Sequence, residues 1–167
     1  MWRFESIDDP DVEINLSRDL DTRILLREKM AVYDWLKTDK KFHIMRDHPD
    51  HMNPKTRIMG GMFSTRKIET IKSWKNLIST ASLQSVGLYN KDQEFLDKYI
   101  YPHIINTCLM HSSFGSLHNE EINDVRPFPI NYFSNYAHVG GYVYENEGLS
   151  FSHINSLKNA LKNLEKV

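Results

Sequence analysis

The sequence predicts an α/β fold, and three observations lead there. Segments of strand periodicity alternate with segments of helical periodicity along the chain. The length of 167 residues, with 40% hydrophobic and 26% charged, suits a single domain spanning residues 1–167. Polar clusters fall just beyond the short apolar runs, and ligands of open α/β sheets sit at the C-terminal ends of strands.

The elements follow in order. Val12, Ile14 and Leu16 alternate with polar residues and predict a strand. A helix is expected over residues 22–37, with Leu25, Val32, Trp35 and Leu36 inward, Glu28 and Lys29 outward, and Asp21 or Thr22 as N-cap. Phe42–Met45 is a short strand that runs into a loop broken by Pro49 and Pro54. A helix is expected over residues 68–78 and a second over 92–100, stopped near Pro102. Residues 104–110 read as a buried strand, 112–135 as a long loop, and 137–144 as a strand with a glycine pair. A C-terminal helix over about residues 152–166 carries Ile154, Leu157, Leu161 and Leu164 as its packing stripe.

Composition removes several functions. Lys and Arg (21) balance Asp and Glu (22), which argues against a nucleic-acid partner. Cys108 is the only cysteine, so neither an intramolecular disulfide nor a four-thiolate zinc site can form. A reducing, cytoplasmic location is the natural expectation. No apolar run approaches the roughly 20 residues that span a bilayer, and the acidic N-terminus lacks a signal peptide's basic and apolar regions. GxSxG, GxGxxG and Walker A patterns are absent.

Four constellations could carry chemistry. Asp19 and Asp21 lie one residue apart after a strand, so both can face one hard cation, and Arg18 and Arg23 beside them could neutralise a diphosphate. Taken alone, the same acids could simply favour a helix dipole. The run from Phe42 to His51 packs His43, Arg46, Asp47, His48 and His51 together, which could suit a metal-dependent hydrolase or be a polar loop. Asp92 and Gln93 open a helix and are suited to hydroxyl recognition, or to plain helix initiation. His111 follows a buried strand and is either a further metal ligand or a core-edge histidine.

Taken in order, these segments resemble a known family. SRDLDTR, the helix ending in Trp35-Leu36, FHIMRDHPDH, Gly60-Gly61-Met62-Phe63, Tyr89-Asn90-Lys91-Asp92-Gln93-Glu94-Phe95-Leu96, Ile100-Tyr101-Pro102 and His111 look like a glycosyltransferase of the A-type fold. The likeness is to a group found in large DNA viruses and bacteria. Pro127-Phe128-Pro129, His138-Val139-Gly140-Gly141 and Glu145-Asn146-Glu147 extend it, so that it covers residues 1–148. The resemblance implies an A-type fold with a mixed sheet flanked by helices, lacking most of the N-terminal nucleotide-binding half. A separate N-terminal segment or chain would then complete it.

It further implies transfer of a sugar from a nucleotide diphosphate sugar, of UDP type, to a glycan or other hydroxyl acceptor. Asp19 and Asp21, with His111, would hold Mn²⁺ or Mg²⁺. Asp92 and Asp47 are the candidate catalytic carboxylates. Arg18, Arg23, Arg46, His48, Gln93, Gly60 and Gly61 would contact substrate, the glycines by letting the sugar approach the backbone. Two positions depart from the pattern. Phe63-Ser64-Thr65-Arg66 replaces a Trp-Gly type sequence, and Ser112 stands where an acid is expected. The competing readings are a non-catalytic nucleotide-sugar or glycan-binding remnant of that fold, and a hydrolase built on His43, Asp47, His48 and His51.

Overall fold

A computed structural model describes residues 2–84, 91–146 and 148–164. Tyr89, Asn90 and Glu147, and the last residues of the expected C-terminal helix, lie outside the described residues.

A 3-10 helix over Trp2–Asp8 comes first, followed by β1 (Ile14–Arg18), α1 (Leu26–Leu36), β2 (Phe42–Arg46) and β3 (Met62–Arg66). Next are α2 (Trp74–Gln84), α3 (Lys91–Phe95), a π-helical turn over Leu96–Ile100 and α4 (Tyr101–Ile104). The last elements are β4 (Cys108–Ser112), β5 (Asp124–Arg126) and α5 (Phe151–Leu164). The strands form one mixed sheet in the order β1-β3-β2-β4-β5. β3 is antiparallel to both neighbours, whereas β2, β4 and β5 are mutually parallel. So β1, β2, β4 and β5 all end at one edge of the sheet, and β3 starts there. The α/β expectation, with a mixed sheet flanked by helices, is met.

Strand alternation divides the core. On one face Phe4 and Ile7 of the 3-10 helix, Trp74, Phe95 and Ile100 cover Phe42, Ile44, Phe63, Cys108 and Met110. Burial pushes the Cys108 thiol far up, so it stays protonated and serves as core. On the other face α1 lays Ala31, Val32 and Trp35 over Met45, Met62 and Leu109. β2 is covered on both faces, which is why all five of its residues are buried.

Several boundaries differ from the sequence reading. α1 starts after Leu25, whose side chain makes no cap bond, so Asp21 and Thr22 are not its cap. Glu28 is buried rather than outward, because Arg18 of β1 reaches across to pair with it. On edge strand β1 the apolar Ile14 and Leu16 are exposed, and Ser17 is buried instead. The helix expected over residues 68–78 is displaced to α2, because Asp8 accepts from Ser73 Oγ, Trp74 N and Lys75 N and so caps that later start. The helix expected to stop near Pro102 continues. The π-helical turn widens the backbone just before the proline, which has no N–H to donate to the preceding turn. Residues 137–144 form turns with isolated bridges, Thr22 to Tyr142 and Val143 to Leu149. The stretch 112–135 contains β5.

Candidate functional site

The strand-end edge gathers the motifs. Asp19 leaves β1, and Gly60-Gly61 leads into its neighbour β3. Ser17 Oγ donates to Gly60 O at 2.6 Å and holds the two chains together at that point. A Cβ on Gly61 would collide with the Asp19 carboxylate, and one on Gly60 would meet Asp92 Oδ2. The glycine pair makes room for these two carboxylates, and neither glycine has a positive φ. Asp92 stands in the first turn of α3 and accepts from Gln93 N at 2.9 Å.

Arg3 joins these acids. One guanidinium nitrogen donates to Asp19 Oδ1 at 2.5 Å and the other to Asp92 Oδ2. The three side chains are only partly buried, with 30%, 43% and 26% of Arg3, Asp19 and Asp92 exposed. Burial works against the Arg3 charge, but the two carboxylates win and raise its pKa further. Asp21 is exposed nearby, and its carbonyl accepts from Val143 N at 2.9 Å. That bond and the Thr22–Tyr142 bridge bring Tyr142 and Tyr144 alongside, both exposed, with ring centroids 5.0 Å apart. Two carboxylates, Asp19 and Asp92, share the one Arg3 guanidinium, and Asp21, Arg23 and Lys91 add charges of both signs close by in sequence.

Other predicted residues are not free to act there. Asp47 is fully buried and its carboxylate is saturated. Arg27 Nε and Nη2, Ser113 Oγ, Tyr132 OH and Val139 N all donate to it at 2.6–3.1 Å. Burial first, and the Asp47 charge second, raise the Tyr132 hydroxyl pKa, so it remains a donor. Asp47 thus ties α1, the end of β4 and the 132–139 segment together and is no candidate base. Arg46 is buried in a bidentate pair with Glu120 at 2.6 and 2.7 Å. Arg18 is spent on Glu28 and on the carbonyls of Ser17 and Phe63. Arg23 is exposed on the loop before α1, and Gln93 is half-buried beside Asp92.

His111 is corrected as a metal ligand beside Asp19. It lies on β4, three strand spacings from β1 and so about 14 Å away. Its Nδ1 is 2.8 Å from His43 Nε2, and its Nε2 is 3.3 Å from Asp34 Oδ2. Burial drives its pKa down to about 4, partly offset by Asp34. His48 belongs to a different group, in which its ring stacks on His138 with centroids 4.6 Å apart and neighbours His51 and His153. His48 Nε2 lies 3.0 Å from the His153 carbonyl, and His51 Nδ1 accepts from Asp47 N. These contacts dock α5. Among the described residues, no three His, Cys, Asp or Glu side chains converge in a geometry that could hold a metal.

Sequence reasoning missed Arg3, Glu120, Tyr142 and Tyr144. Arg3 sits 16 residues before Asp19 and 89 before Asp92, with no motif around it. The chain matches no protein-family model, no curated protein and no solved structure.

Proposed function

We propose that the chain is a metal-dependent glycosyltransferase of A-type fold that moves a sugar from a nucleotide diphosphate sugar, of UDP type, onto an acceptor hydroxyl. One observation carries this reading: Asp19, Gly60-Gly61 and Asp92, far apart in sequence, converge on one partly open clasp. The motif resemblance supports it, since these same residues match its metal, sugar and DQ positions.

The donor set suits a divalent cation. Mg²⁺ and Mn²⁺ prefer hard oxygen ligands and commonly take one or two carboxylates plus substrate phosphates, and Asp19 and Asp21 offer those carboxylates. Such an ion would offset charge on the departing nucleoside diphosphate. The chain's own groups do the rest. Gly60 and Gly61 leave the room that the Asp19 and Asp92 carboxylates need to stand side by side at the donor. Asp92, oriented by its Gln93 N–H bond, can accept from sugar hydroxyls. Arg3 moves from balancing the acids to meeting donor charge once the acids are engaged elsewhere.

The test is thermal. UDP with Mn²⁺ at millimolar levels should raise the melting temperature, and Asp21→Ala should abolish the rise. No shift in the wild-type chain would sink the proposal. Hydrolysis or transfer assays on the donor then separate the enzyme from a non-catalytic remnant, which would show the shift without turnover.

A further inference from the structure

At the opposite end of the same sheet edge lies a second cleft of about 630 Å³, between the end of β5, the 127–136 segment and the last turn of α5. Its volume is in the range of small-molecule sites. Phe128, Tyr132, Phe133 and Tyr136 supply aromatic surface, while Asn131 and Ser134 add neutral polar groups. Among the described residues, Arg27 is the one charged side chain in its lining, with Lys158 beside it over the Tyr136 ring. The Arg27 charge is already used, because Asp47 neutralises it and Phe128 and Tyr132 cover the guanidinium at 4.3 and 4.0 Å. An anionic ligand would gain little from it.

Tyr136 has φ of 55°, in the left-handed region that a bulky residue rarely adopts. It is held there by a turn, Tyr136 N to Phe133 O at 2.9 Å, and by the Asn135 side chain accepting from Ala137 N. Lys158 of α5 lies over its ring at 4.7 Å, and the Tyr132 ring stacks against it with centroids 6.4 Å apart. Phe133 is 45% exposed, an aromatic side chain displayed to solvent beside amide and hydroxyl groups. Aromatic faces carry partial negative charge and attract the polarised C–H groups of a pyranose ring, while neutral amides and hydroxyls match its OH groups.

We infer that this cleft is a second binding site, for a neutral pyranose ring of a glycan, seated on the exposed Phe133 with the edge of Tyr136 beside it, and hydrogen-bonded by Asn131. The end of β5 is four strand spacings from β1, about 19 Å, so the site is separate from the Asp19 clasp. It stands whether or not the clasp transfers sugar.

The full chain would be titrated by NMR with five neutral trisaccharides: maltotriose, cellotriose, mannotriose, xylotriose and chitotriose. At least one should perturb the Phe133 and Tyr136 ring signals saturably, and Phe133→Ala should weaken that binding about five- to tenfold. Asp19→Ala should leave it unchanged. Phe133 is exposed, so its replacement spares the fold, and Asn131→Ala provides a second exposed variant that should also weaken binding. The inference is overturned if none of the five sugars titrates those signals, or if Phe133→Ala and Asn131→Ala bind as the wild type does. It is equally overturned if uridine or a uronic-acid trisaccharide titrates them and the neutral sugars do not.

Discussion

Two sets of arginine–carboxylate pairs sit along one edge of the sheet, and they behave as opposites. Arg3 holds Asp19 and Asp92 in a clasp that solvent reaches. Arg27–Asp47 and Arg46–Glu120 are sealed, and their donors and acceptors are spent on other protein groups. The same residue types can bind a ligand in the first setting and only hold the fold in the second. Exchangeable partners and access to solvent separate the two, whereas charge alone does not.

The largest effect should come from breaking a sealed pair. Asp47→Ala leaves Arg27 buried without its acceptor and should cost about 3–5 kcal/mol, read from urea denaturation. A loss under about 1 kcal/mol would mean the pair is replaceable. Glu120→Ala should fall in the same range for the same reason. Gly61→Ala should strike the clasp instead, because its Cβ needs the space of the Asp19 carboxylate. The expected outcome is loss of the UDP–Mn²⁺ thermal shift, with a smaller change in stability than Asp47→Ala produces.

Acid should next separate the regions. Burial, reinforced by His48, His138 and His153, pushes His51 down to about 3. It and His111 are neutral when folded yet titrate near 6.5 when unfolded. Between those values the unfolded chain binds more protons, so stability should fall as pH drops from 6.5 toward 4. Melting curves across that window should show the decline, and His51→Gln should lessen its slope while His111, His43 and His138 keep their share. An unchanged slope would place the acid sensitivity elsewhere. The smallest effect belongs to Arg3→Ala, where part-exposed pairs contribute about 1 kcal/mol or less to stability. Ligand affinity in that variant should change more than its melting temperature does.

The hydrophobic pattern made the central elements legible. β2, α1 and α5 stand close to where periodicity puts them, because each buries a face long enough to declare itself. Edges and caps were harder to read. Ile14 and Leu16 alternate as a buried strand would, but β1 is an edge and its apolar side faces water. The cap of α2 comes from Asp8, more than sixty residues away, and no local signal announces it.

At the site, Asp19, Asp92 and the glycine pair could be picked out because acids and glycines at strand ends are conspicuous. Asp47, Arg46 and His48 were equally conspicuous and turned out to be internal. The amino-acid sequence on its own determined an α/β chain with carboxylates and glycines where strands stop. Only the tertiary structure decided which carboxylates meet buried arginines and which remain open to solvent. The reason is physical: a carboxylate's chemistry depends on which donors reach it and how much water remains, and those neighbours arrive from strands and helices distant along the chain.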